Sequence, residues 1–165
     1  MSSTKKEASG EQSKSLHAAL KSRLNEAMRI QSTETVMLHT VLAGRLGLNA
    51  TDHKALDIVM RRGPLTAGQI ADYTGLTTGA VTGVINRLEK VGMARRSADK
   101  KDRRRVVIEV APEAFGKLEP LFLSLNQSME TLASQYSNSD LELICTFIER
   151  CTRIVEQENI YLRQE

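Results

Sequence analysis

The chain has 165 residues, of which 41% are hydrophobic and 26% charged, with three prolines and no tryptophan; this balance fits one helix-rich globular unit better than a β-sandwich. No apolar run approaches the roughly 20 residues of a membrane span, and the first residues lack the apolar stretch of a signal peptide, so the sequence reads as cytoplasmic. The net charge of +3 is unevenly spread: residues 86–105 hold nine Lys or Arg against three acids, and residues 111–165 hold four against nine. Such a basic cluster suits a polyanion, although the run alone is equally a solvated loop.

Residues 1–13 are Ser, Lys, Glu, Gly and Gln with almost nothing apolar, and predict a flexible tail. From Leu16 to Leu46 apolar residues recur at helical spacing without Pro, giving one long helix or two joined near Ser32 and Thr33. Thr51 and Asp52 have the form of an N-cap and first-turn acid for a helix of about 52–61, with Leu56, Val59 and Met60 on its apolar face. Thr66 caps a short segment with Ile70 and Ala71 facing inward, stopped by Tyr73-Thr74-Gly75. Thr77 then caps a helix running to about Val91.

Two short extended stretches follow, Met93 to Ser97 and Arg105 to Val110, joined by the charged turn from Ala98 to Arg104. They predict a β-hairpin with a basic tip. Pro112 opens a helix in which Phe115, Leu118, Phe122, Leu125, Met129, Leu132 and Tyr136 alternate steps of three and four residues, a seam that wants a partner. After Ser137-Asn138-Ser139 a last helix runs towards Arg163 with a wide apolar face including Leu141, Ile144, Ile148, Cys151 and Val155.

Two helices joined by a tight Gly-containing turn and followed by a basic hairpin make a helix-turn-helix with a wing. In the second helix Val81, Val84, Ile85 and Leu88 fall on one inward stripe. The opposite face carries Thr78, Gly79, Thr82, Gly83 and Asn86, short and nearly uncharged, where Glu and Lys would give better helix propensity. Small side chains let a helix lie close to the major-groove floor, with Thr and Asn reaching base edges and phosphates. Glycines tolerated for packing against another helix are the plainer alternative.

These residues resemble the MarR family of transcriptional regulators. The resemblance runs through Leu65-Thr66-Ala67-Gly68-Gln69-Ile70-Ala71, Gly75-Leu76-Thr77, Ala80-Val81-Thr82, Arg87-Leu88-Glu89-Lys90-Val91-Gly92 and Asp99-Lys100-Lys101-Asp102-Arg103-Arg104, within residues 48–110. Lys100 departs from the family's frequent Pro, Ala111-Pro112 from its Leu-Thr, and Gly83 from larger polar or basic residues, so no operator sequence carries over. The expected fold is mainly α with a small β-hairpin wing: a tail at 1–13, an N-terminal dimerisation helix region at 14–47, a winged helix-turn-helix at 48–111, and C-terminal dimerisation helices at 112–165.

The resemblance implies a repressor that binds a pseudo-palindromic operator on double-stranded DNA as a homodimer, and its release by a small aromatic or anionic effector. It implies that residues 77–90 form the recognition helix and that the wing enters the minor groove. Thr78, Thr82 and Asn86 are then expected to read bases, with Thr77, Gly79 and Gly83 also on the DNA-facing surface, Arg87, Lys90, Arg95 and Arg96 at phosphates, and Arg103 or Arg104 in the minor groove, oriented by Asp102. The alternative function is a winged helix that binds protein. His17, His39 and His53 lie far from Cys145 and Cys151 and show no catalytic or metal-ligand spacing, so no enzyme, cofactor or metal is expected. The two cysteines read as buried small hydrophobes of the apolar stripe, with a redox switch across a dimer as the alternative.

Overall fold

The computed structural model describes residues 3–163, with side-chain environments from residue 12 onward. Residues 1–2 of the expected tail lie outside the described residues, and from Ser3 the chain is already helical in α1 (Ser3–Arg45). The segment lacks Pro, and its Lys, Glu, Gln and Ala are good helix formers that extend a helix nucleated downstream. No break occurs at Ser32 or Thr33. The Leu48 N–H returns to the Ala43 carbonyl and closes the helix.

The chain divides into two compact units, 1–50 and 51–165. The second holds most of α2 (Ala50–Arg62), then α3 (Ala67–Thr74), α4 (Thr78–Lys90), β1 (Ala94–Ala98), β2 (Val106–Val110), α5 (Pro112–Ala133) and α6 (Asn138–Tyr161). Each cap marks a boundary set by local chemistry. Thr66 and Gln69 form a reciprocal capping box, Thr77 accepts from the Ala80 N–H, Pro112 opens α5, and Ser137 forms a capping box with Asp140.

β1 and β2 pair antiparallel from Ala94↔Val110 to Ala98↔Val106. Leu65 adds a bridge to Ile108 through reciprocal backbone hydrogen bonds of 3.0 and 2.7 Å, fastening the start of α3 to the hairpin. Leu56, Val59, Ile70, Val81, Val84, Ile85, Leu88, Met93 and Ile108 form the buried core beneath it. Met60, expected on the inner face of α2, is exposed.

Of the seam of α5 only Leu118 is buried, and Phe122 is half-buried. Phe115, Leu125, Met129 and Leu132 are exposed, as is Tyr136 beyond the helix. α6 has no buried residue at all. This corrects the reading of the cysteines as buried: Cys145 is exposed and Cys151 half-buried, because the described residues leave most of the apolar stripe around them uncovered.

Candidate nucleic-acid interface

The short helix α3 ends at Gly75, whose φ of 73° is the left-handed conformation that glycine adopts without strain. The chain turns there, and Thr77 starts α4. One face of α4 is nailed down by Val81, Val84, Ile85 and Leu88, all at most 2% exposed, so the opposite face is fixed in orientation. Thr77, Thr78, Gly79, Thr82, Asn86, Arg87 and Lys90 are exposed on it, and Gly83 is half-buried.

Two of the threonines have part of their hydrogen-bonding capacity committed. Thr77 Oγ1 accepts from the Ala80 N–H at 3.3 Å, and Thr82 Oγ1 donates to the Thr78 carbonyl at 3.0 Å. Thr82 therefore offers outward a methyl group and an acceptor, not a donor. A Cβ on Gly79 would meet nothing within 4 Å, whereas one on Gly83 would lie 3.3 Å from Arg87 Nη1. Gly83 leaves room for the guanidinium; Gly79 leaves room for something outside the chain.

Arg87 spans from α4 to α2. Its Nε lies 2.9 and 3.1 Å from the two Asp52 carboxylate oxygens, and its Nη2 donates to Oδ1 at 2.8 Å. Asp52 is 1% exposed. The hydrogen bonds to Asp52 raise the Arg87 pKa above the ordinary arginine value, against a smaller opposing cost of desolvation. Arg87 is thus first a strut within the domain, with half of its side chain still open to solvent.

Arg96 behaves similarly between α4 and the wing. It is ion-paired with Glu89, donates from its backbone N–H to that carboxylate's Oε1 at 3.1 Å, and donates from Nη2 to the Asn86 side-chain oxygen at 2.8 Å. Because a guanidinium only donates, Asn86 faces it with its carbonyl and keeps its NH₂ group for other partners. Arg95 pairs with Glu109, its cross-strand neighbour, at 2.8 Å.

The wing tip is folded by its own acids. Asp99 accepts the Lys101 N–H at 2.8 Å, and Asp102 accepts from Arg104 at both the backbone N–H, 3.1 Å, and Nε, 3.3 Å. Both are side-chain-to-backbone turns that substitute for a longer ladder. Arg103 is exposed, and among the described residues Lys90, Lys100, Lys101, Arg103 and Arg105 enter no salt bridge.

Most of the residues expected at the interface thus fall in two groups, while Thr77, Gly83, Asn86 and Asp102 serve the cap, the space and the pairing of their neighbours. Thr78, Gly79, Thr82 and Lys90 on α4 and Arg103 on the wing are exposed without a carboxylate partner, while Arg87, Arg95, Arg96 and Arg104 each hold one. Asp52, Glu89 and Glu109, which position these arginines, were not among the expected site residues. The Arg95–Glu109 pair could have been found from the hairpin register; Asp52 lies 35 residues from Arg87 and gave no local signal. Among the described residues no group of three or more His, Cys, Asp or Glu is arranged to hold a metal ion.

The model of the MarR family matches residues 46–105. Over 139 residues the chain is 40% identical to the uncharacterized HTH-type transcriptional regulator YcgE of Bacillus subtilis, covering 84% of this chain and 90% of that protein. Its fold is similar to that of a MarR family protein from Bacillus stearothermophilus, with a TM-score of 0.58 at 18% identity over 84% of this chain and 94% of the other. It is also similar to the transcriptional regulator Tm0710 from Thermotoga maritima, with a TM-score of 0.57 at 18% identity over 82% and 95%. With the helix-turn-helix, its basic wing and the extent of the match to YcgE, the chain belongs to the MarR family of winged helix-turn-helix transcriptional regulators.

Proposed function

We propose that the protein is a repressor that binds a pseudo-palindromic operator on double-stranded DNA as a homodimer. The observation that carries this reading is the outer face of α4: small, polar, free of carboxylates at Thr78, Gly79 and Thr82, and set beside a wing whose Arg103 and Lys101 have no anionic partner. A helix of this kind approaches the major-groove floor closely, and Arg103 follows into the adjacent minor groove, where negative potential is concentrated. Asn86 offers its NH₂ group as a donor, and Lys90 is available to a phosphate. Arg87, Arg95 and Arg96 hold the reading surface together first and reach phosphate only with whatever donors remain outside their pairs.

Pairing of two chains is supported by the apolar residues left uncovered on α5 and α6, among them Leu125, Met129, Leu143, Ile148 and Val155. Repression follows from occupancy, since a protein seated in both grooves excludes others from the same DNA. Release by a small aromatic or anionic effector rests on the family resemblance alone; its mechanism would be a change in the separation of two α4 helices, which must match half-sites about 34 Å apart.

The test is fluorescence anisotropy on a duplex selected from a random pool, titrated with salt and non-specific competitor, for wild type and Arg103→Ala. The expected result is two protomers per duplex and an affinity that falls steeply with salt. The salt slope should be smaller by about 1 in the variant. Weak binding that competitor removes at every salt concentration would instead favour a winged helix that docks protein.

A further inference from the structure

The two helices of the helix-turn-helix end alike. α3 stops at Gly75, with φ 73°, and the C-cap of α4, Val91, is followed by Gly92, with φ 69°. At each end a cation arrives from the C-terminal helices. Arg163, just beyond α6, donates from Nη1 to the Asp72 carbonyl at 3.0 Å, and from Nη1 and Nη2 to the Tyr73 carbonyl at 3.3 Å each. Lys117, in the second turn of α5, donates from Nζ to the Val91 carbonyl at 2.8 Å.

The glycines make room for both. A Cβ on Gly75 would lie 3.4 Å from the Arg163 guanidinium carbon, and one on Gly92 would lie 3.3 Å from Lys117 Nζ. The last carbonyls of a helix lack partners within it and carry the negative end of its dipole, so a cation there supplies both a hydrogen bond and charge. A second link reinforces the first: Arg62, in the last turn of α2, stacks 4.4 Å over the Tyr73 ring and lies 3.6 Å from Glu156 of α6. Glu156 thus adds a contact about one helical turn before the end of α6, upstream of Arg163.

We infer that Lys117 and Arg163 are positioning residues for DNA recognition, clamping the end of α4 to α5 and the end of α3 to the residues that close α6, so that the reading head keeps one orientation relative to the helices through which chains pair. This rests on the proposed reading of α4 as the DNA-contacting helix of a dimer. Neither residue lies on the outer face of α4 or on the wing. Their effect on binding is therefore exerted through geometry, in the tolerated distance between half-sites, and not through phosphate contacts.

The experiment compares full-length wild type with Lys117→Met, Arg163→Met, the double variant and Arg163→Lys. Met keeps an apolar stem and removes the donor. Amide hydrogen exchange is expected to accelerate around residues 73–78 in Arg163→Met and around 91–94 in Lys117→Met. On the selected operator the double variant should bind on the order of tenfold more weakly with an unchanged salt slope. Its relative affinity for operators lengthened or shortened by one base pair between half-sites should rise, and Arg163→Lys should recover most of the loss. Unchanged exchange at both turns overturns the clamps. A slope reduced by about 1 per residue would make them phosphate contacts, and an equal loss at every spacing would make them merely structural; either overturns the positioning role. Absence of specific binding by wild type overturns the DNA reading and the positioning role with it, while exchange still decides whether the clamps hold the turns.

Discussion

Gly79 has no neighbour within 4 Å of where a Cβ would stand, so nothing inside the chain requires glycine there. Glycine in a helix interior costs about 1 kcal/mol relative to alanine. Gly79 stands in the first turn of α4, so Gly79→Ala should stabilise the protein by at most about that amount, raising Tm by no more than roughly 2–4 °C, while weakening operator binding several-fold. Thermal denaturation and anisotropy check the two signs separately; a stabilised variant with undiminished affinity would remove Gly79 from the groove-facing surface. The outward face was readable from sequence because a helical face is a local property: the stripe Val81, Val84, Ile85, Leu88 fixes its opposite. The pairing of the arginines was not. Charge at Arg87 and Arg96 suggested phosphate contacts, but Asp52 read as an ordinary first-turn acid, and only the crossing of α2 with α4 brings its carboxylate within 3 Å of Arg87.

α3 has eight residues, too few to persist by propensity alone, and depends on its ends and on the burial of Ile70. The capping box contributes two reciprocal bonds, the Gln69 N–H to Thr66 Oγ1 at 3.2 Å and the Thr66 N–H to Gln69 Oε1 at 2.9 Å. Thr66→Ala should destabilise by about 1 kcal/mol, a Tm loss of roughly 2–4 °C at this chain length, and lower operator affinity through the turn that α3 supports. A cap loss without any change in melting would mean that the Leu65–Ile108 bridge alone holds this entry. These caps stood in the sequence at Thr66 and Thr77 because capping is written in three or four residues. Boundaries without such chemistry moved: α2 begins at Ala50, ahead of the expected cap Thr51, and α5 ends at Ala133, three residues before the last apolar position of its seam. Apolar periodicity continues through a turn as readily as through a helix, so it marks a face better than an end.

Across the whole chain the conspicuous imbalance is between a buried core at the helix-turn-helix and the bare apolar faces of α5 and α6. Leu143, Ile154 and Ile160 are 70%, 65% and 59% exposed. With two chains paired, unfolding is coupled to dissociation, and Tm should rise with protein concentration. Ile148→Asp should abolish that dependence, give a monomer in sedimentation, and remove specific operator binding while sparing weak non-specific binding. A Tm independent of concentration over two decades, with a monomer in wild type, would sink the pairing. The sequence disclosed the seam but not its occupant, because periodicity shows that a face needs cover and is silent on whether the cover is the same chain.

Uncovered faces of this breadth also bear on gene control. If the active species is a pair in equilibrium with single chains, then at low copy number its abundance varies as the square of the total, and halving the supply of chains cuts the active form about fourfold by mass action. The dose response of the regulated gene would then carry a threshold set by α5 and α6, before any effector binds and without a second operator.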